Sequence, residues 1–313
     1  RIHVTGTWRL PVFTKDTNAI EFDLSPKMRD LDVKILEPKL TNTSVSLKSE
    51  DRGGDTHWIL RTSVPIRSGQ SVVLQFSYTS ETQPSPQFNI SPEGSFAGGG
   101  GELWYPQTSF SNRETGWLRY SVPPGEIVIS NGTIQSPPAQ QAKGEFVFRV
   151  DQPSKFGFAS GKYSVLRQSG KTPFALYLLH PTAQAQEILA GCSRALKVLT
   201  NLFGTFPYRQ FSVVEVDFRS SVAGTGEFGF ILADKSQIEG KFNLAYWAHE
   251  LGHQWWGNLV RSKPKTGGRM MLSEGIAQFG SLLATERVEG ERAAERFRRE
   301  GLYSRDQSAA GFF

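Results

Sequence analysis

Residues 249–258 read His249-Glu250-Leu251-Gly252-His253-Gln254-Trp255-Trp256-Gly257-Asn258, and Leu272-Ser273-Glu274-Gly275-Ile276-Ala277 follows a polar, Gly- and Pro-containing connection. On a helix, side chains four residues apart share a face, with Cβ atoms about 5–6 Å apart. Two imidazoles so placed can converge on one metal ion, each at about 2.0–2.1 Å. The chain has only five histidines among 313 residues, so two at this spacing with a glutamate directly after the first form a specific pattern. Glu250 then lies beside the ion, placed to take a proton from a water that the ion makes acidic. The plain alternative is a helix carrying two incidental histidines. The apolar neighbours Tyr246, Trp247, Trp255 and Trp256 argue against it. They predict a dry setting, where imidazoles need partners and a metal is one.

Catalytic zinc needs a third protein ligand and an open position. Glu274 stands just ahead of a helical apolar run, Ile276, Phe279, Leu282 and Leu283. Two antiparallel helices joined by the 261–269 connection would bring it back to His249 and His253. An acidic residue favourably placed at a helix N-terminus is the other reading of Glu274.

Upstream, the texture is different. Alternating apolar and polar runs recur at 19–24, 31–36, 44–47, 58–62, 71–78, 145–150, 163–166 and 174–179, broken by Gly, Pro, Asn and Ser clusters. This period of two predicts strands with one buried and one wet face, as in an antiparallel sandwich. The Pro- and Gly-rich stretch 83–101 reads as a long loop. Helical spacing begins after Pro181, over 183–203 with Gly204 as the stop, then a buried strand over 211–218, a Trp-rich helix over 243–259 and another over 272–288. The sequence therefore predicts a β domain over 1–181 and an α/β or mainly helical domain over 182–313. At about 150 residues per domain the length agrees.

Composition narrows the function. Charges are nearly balanced, 35 basic against 30 acidic residues, and the basic ones are scattered. That disfavours a nucleic-acid partner. No run is long and apolar enough to predict a membrane span. The single cysteine, Cys192, excludes an internal disulfide and a Cys-rich metal site. Gly98 to Gly101 lacks the lysine of a phosphate-binding loop. The chain starts at Arg1, so a segment missing from its N-terminus is expected, and the compartment stays unknown.

The segments 249–260 and 272–277 together resemble the M1 family of zinc aminopeptidases, the gluzincins. The resemblance implies one Zn2+ held by His249, His253 and Glu274, with Glu250 as general base. It implies a zincin-like, thermolysin-like catalytic domain behind an N-terminal antiparallel β-sandwich or saddle domain. From Gln254 to Ser273 there are twenty residues, two more than the family pattern, and the extra residues are expected in the 263–268 loop. The family also carries a Gly-x-Met-Glu-Asn edge strand whose glutamate grips the substrate's α-amine. In Gly224-Thr225-Gly226-Glu227-Phe228, Gly224 and Glu227 match, while Gly226 and Phe228 replace Met and Asn. Glu227, with Gly224, is the expected substrate-binding element, and the expected partner is a peptide with a free N-terminus. Glu102, in Gly101 to Pro106, is a weaker candidate for substrate contact. The family's oxyanion tyrosine is expected beyond Phe313, in a missing C-terminal part, because Tyr303 stands too near Glu274 and reads as packing. Two other functions stay open: a catalytically silent zinc-binding interaction protein, and an endopeptidase of the same zinc class.

Overall fold

The structure, a computed structural model, describes residues 1–302 apart from 42, 53–54, 81–84, 86, 100–101, 109–112, 220–221 and 263–266. Two compact units divide after Arg113.

The first unit is antiparallel β structure. Strands β1 (Ile2–Leu10), β6 (Val72–Ser80) and β3 (Met28–Glu37) form one sheet in the order β1-β6-β3. Strands β2 (Thr17–Leu24), β5 (Asp55–Ile66) and β4 (Val45–Arg52) form a second, in the order β2-β5-β4. Leu10, Val72 and Leu74 from the first meet Ile20, Leu60 and Ile66 from the second in one core. That is the sandwich the alternation predicts: on β1 every second side chain is turned to the partner sheet. A short pair, β7 (Phe88–Asn89) and β8 (Gly94–Ala97), lies inside the stretch expected to be loop. Glu102 accepts hydrogen bonds from Ser25 and from Ser85 (2.6 Å) and pairs with Lys27 (3.2 Å). All three partners belong to this unit.

The second unit opens with more strands: β9 (Glu114–Ser121), β10 (Ile127–Ser130), β11 (Thr133–Ile134), β12 (Glu145–Ser154) and β13 (Phe158–Gly161), with a one-turn helix α1 (Pro138–Gln141) before β12. Beyond them a five-stranded mixed sheet runs β14 (Ser164–Gln168), β15 (Phe174–Leu178), β16 (Phe211–Val216), β18 (Phe230–Asp234) and β17 (Gly224–Glu227) in spatial order. β15, β16 and β18 are parallel, and the two outer strands are antiparallel to their neighbours. The sheet crosses the expected join at 181, since two of its strands precede that point. Periodicity changes at Pro181 because a helix begins there, not because a compact unit does.

Helix α2 (Ala185–Phe203) ends at Gly204, as its spacing predicts. It lies on the sheet with α4 (Leu244–Gly252) and α5 (Ile276–Glu289), and Ile188, Leu199, Trp247, Leu251 and Ala284 share one core with Phe211, Val213 and Ile231. A short α3 (Lys235–Glu239) precedes α4, and α6 (Glu291–Phe297) follows α5 after Gly290. The helix expected over 243–259 stops at Gly252. Beyond it the chain folds into turns, and Gly257 takes a φ of 98°, which side chains disfavour. Asn243 starts α4 by accepting from the backbone N–H groups of Ala245 and Tyr246.

Of the large apolar side chains that the periodicity picks out on α5, Leu282 alone is buried. Phe279 is 56% exposed, while Ala277, Gly280, Ser281 and Ala284 are buried. Small side chains let α5 approach α4. A Cβ on Gly252 would lie 3.0 Å from Cα of Ala277, and the Ser281 hydroxyl donates to the carbonyl of Ala245 across the same contact. Gly252→Val is therefore expected to overpack this contact and destabilise the protein by about 1–3 kcal/mol. A lowered urea midpoint with unchanged m-value checks this.

Candidate metal centre

The close contact of α4 and α5 decides what their termini can do. His249 sits in the last turn of α4 and His253 caps it. Glu274 sits in a π-helical turn, Met271–Gly275, that leads into α5. A π turn carries an extra residue per turn and swings the side chains at its edge. Here it is the turn that presents Glu274 to the two histidines. The 263–266 part of the loop expected to absorb the longer spacing lies outside the described residues.

Three donor atoms meet: Nε2 of His249 and Nε2 of His253 are 3.2 Å apart, and Oε2 of Glu274 is 3.3 Å from the first and 3.4 Å from the second. A tetrahedral ion with bonds of about 2.0–2.1 Å has ligand–ligand edges of about 3.3–3.4 Å. The triangle fits one face of such a tetrahedron. Among the described residues this is the one group of three such donors that could hold a metal ion. The side chains of His249, His253 and Glu274 keep 21%, 13% and 39% exposure, so a fourth direction faces solvent. The expected dry interior is thus found on one side only, where Trp247 and Trp255 are core.

Surrounding groups orient the donors. Nδ1 of His253 is 3.1 Å from the carbonyl of Trp256 and donates to it, which leaves Nε2 as the ring nitrogen facing His249 and Glu274. The Ser273 hydroxyl donates to Oε1 of Glu274 at 3.0 Å, leaving Oε2 for the histidines. Gly257 keeps this arrangement open, because a Cβ there would stand 2.8 Å from the Ser273 hydroxyl. Glu250, between the histidines in sequence, is buried, and its charge acts on His253.

Glu227 and Gly224 lie on β17, at the edge of the five-stranded sheet. Glu227 is only 3% exposed. The Asp234 N–H donates to the Ala223 carbonyl, so ladder alternation turns the backbone groups of Gly224 and Gly226 away from β18. The Tyr246 hydroxyl, from α4, also donates to the Ala223 carbonyl. Gly226 faces His253 directly: a Cβ there would be 2.9 Å from the His253 Cβ. Its lack of a side chain is a steric requirement of this close approach. Gln254 and Asn258, which sequence reasoning left without a role, bind the β17–β18 turn. Tyr303 lies outside the described residues.

Among solved structures, the chain is similar to an M1 zinc metallopeptidase from Deinococcus radiodurans, with a TM-score of 0.68 and 17% identity over 96% of this chain and 71% of that one. A point mutant of an M1 zinc metallopeptidase from the same organism gives a TM-score of 0.68 at 16% identity, with the same coverage. At this identity the likeness establishes the fold. No protein-family model matches the sequence, and no curated protein matches it. No described helix is long and apolar enough to cross a membrane.

Without metal, the cluster binds a proton tightly. Burial alone would lower the His253 pKa, but the hydrogen bond to Glu274 and the charges of Glu250 and Glu274 outweigh it and raise it to about 9. Burial pushes the Glu274 carboxyl up, yet hydrogen bonds and charge from His249 and His253 hold it well below the usual carboxylate range. The folded His253 value of about 9 exceeds the 6.5 of a free imidazole. Its stabilisation is therefore complete below pH 6.5 and lost as the pH rises through about 9. Thermal melts of chelator-treated protein are expected to show Tm falling over that interval, and Glu274→Gln is expected to flatten the fall.

Proposed function

We propose that this chain belongs to a zinc-dependent metallopeptidase of the M1 type that removes N-terminal residues from peptides. The observation that carries the reading is the donor triangle of His249, His253 and Glu274, whose edges of 3.2, 3.3 and 3.4 Å suit a tetrahedral ion with one side open. The fold likeness to M1 zinc metallopeptidases supports it. In this reading the second unit, including the two strands before Pro181, holds the zincin-like catalytic part.

Zinc held there supplies a Lewis acid that acidifies water and polarises a carbonyl. The chain's own residues do the rest. His249 and His253 give neutral imidazole donors and Glu274 a carboxylate. Glu250 takes a proton from the attacking water as its oxygen bonds to the scissile carbonyl carbon. When the C–N bond breaks, Glu250 returns that proton to the departing nitrogen, so a free amine leaves. Glu227 pairs with the substrate's α-ammonium, a demanding contact for a buried carboxylate that favours a charged partner. The outward backbone of Gly224 on edge strand β17 aligns the peptide as an added strand, the Gly226 carbonyl being held by Asn258.

The test uses purified protein, its zinc content and cleavage of an aminoacyl-anilide. Glu250→Gln is expected to keep zinc and lose about 10²–10⁴-fold in kcat. Glu274→Ala is expected to lose the zinc. A zinc-loaded Glu250→Gln protein that still hydrolyses at the wild-type rate removes the role given to Glu250. A wild type that cleaves N-acetylated peptides as well as free ones makes it an endopeptidase, and zinc without any cleavage makes it a silent binder.

A further inference from the structure

The hairpin carrying Glu227 is attached to the metal-binding helix by two side-chain amides, and that of Gln254 has both its donor and its acceptor in use. Gln254, directly after His253, is fully buried, and Asn258 is 8% exposed. Nε2 of Gln254 donates to the carbonyl of Glu227 at 2.8 Å and to that of Phe230 at 3.4 Å. Its Oε1 accepts from the backbone N–H of Gly229 at 2.9 Å. Nδ2 of Asn258 donates to the carbonyls of Gly226 and Glu227, at 3.1 Å each. The backbone N–H of Asn258 donates to the His253 carbonyl at 3.2 Å, so Asn258 is itself tied to the end of α4. The Glu227 carbonyl thus receives two amide donors, both from residues within five positions of a metal ligand.

We propose that Gln254 and Asn258 are positioning residues that set the Glu227 carboxylate at a fixed distance and height from His249 and His253. This rests on the aminopeptidase reading and adds to it the device that measures the distance between the ammonium grip and the scissile bond. Only an amide serves at position 254. It must donate to two carbonyls and accept from one N–H, which matches the two donors and one acceptor of glutamine. A carboxylate of the same shape keeps the Gly229 contact but turns an acceptor toward two carbonyl oxygens. The absent side chain at Gly226 belongs to the same device, because the clamp draws β17 to 2.9 Å from His253 measured at a Cβ.

The experiment is a double-mutant cycle on the purified, zinc-loaded protein, following cleavage of an aminoacyl-anilide. Gln254→Glu and, separately, Asn258→Asp are expected to retain zinc and to lower kcat/KM at least tenfold, mainly through KM. In a Glu227→Ala background the same changes are expected to cost less than twofold, since the group they position is gone. Gln254→Asn with full loss, and Asn258→Ala with loss through KM, are expected to repeat the pattern if Gln254→Glu fails to fold. Costs that multiply unchanged in the Glu227→Ala background, or zinc loss in the single variants, overturn the proposal. Unaffected variants of an active wild type overturn the clamp alone. A wild type that holds zinc but cleaves no free-amine substrate overturns the reading beneath it, and the clamp with it.

Discussion

Two helices must come almost into backbone contact for His249, His253 and Glu274 to reach one another. Gly252 against Ala277 makes that contact possible, and Ser281, bonded to the Ala245 carbonyl, extends it along α5. The cost is modest apolar burial on α5, offset by the core that α4 and α2 build with the sheet around Trp247 and Ile188. The site's geometry is therefore a packing result before it is a coordination result. Helices held apart by larger side chains would carry the same donors and could not bring them to 3.2–3.4 Å.

A second constraint runs from the same helix to the sheet. β17 sits at the edge, with its backbone partly turned outward, and the chain beyond His253 reaches back to hold it. Gly226 and Gly257 are empty for related reasons. One lets the strand meet the helix, and the other leaves room for Ser273 to orient Glu274. The candidate metal ligands and the proposed amine grip are thus parts of one block, built around ten consecutive residues, 249–258.

Much of this was legible in the sequence. The strands of the first unit announced themselves through alternation, since one face packs and the other is wet. The spacing of His249 and His253 pointed to convergent donors, and the Glu274 carboxylate lies within 3.4 Å of both in the structure. Other features were hidden for physical reasons. Burial of α5 largely through small residues leaves a weak hydrophobic stripe, so its apolar period pointed to the buried Leu282 but also to Phe279, which is exposed. The end of α4 at Gly252 depends on turn geometry and tertiary hydrogen bonds, and a run of tryptophans disguised it. The roles of Gln254 and Asn258 are made by contacts with residues some thirty positions upstream, where local pattern carries no signal; a pair of buried-type amides directly after two histidines was the one available hint. The break after Arg113 is likewise a matter of long-range contacts and leaves no change of periodicity.

The central claim is that one ion sits at the meeting point of two imidazoles and one carboxylate. Anomalous diffraction at the zinc edge from crystals of the zinc-loaded protein tests it most directly. A single peak at about 2.0–2.1 Å from Nε2 of His249, Nε2 of His253 and an oxygen of Glu274, with a fourth side left to solvent, is the result expected. A peak elsewhere, or a zinc ion that leaves Glu274 uncoordinated, would contradict it.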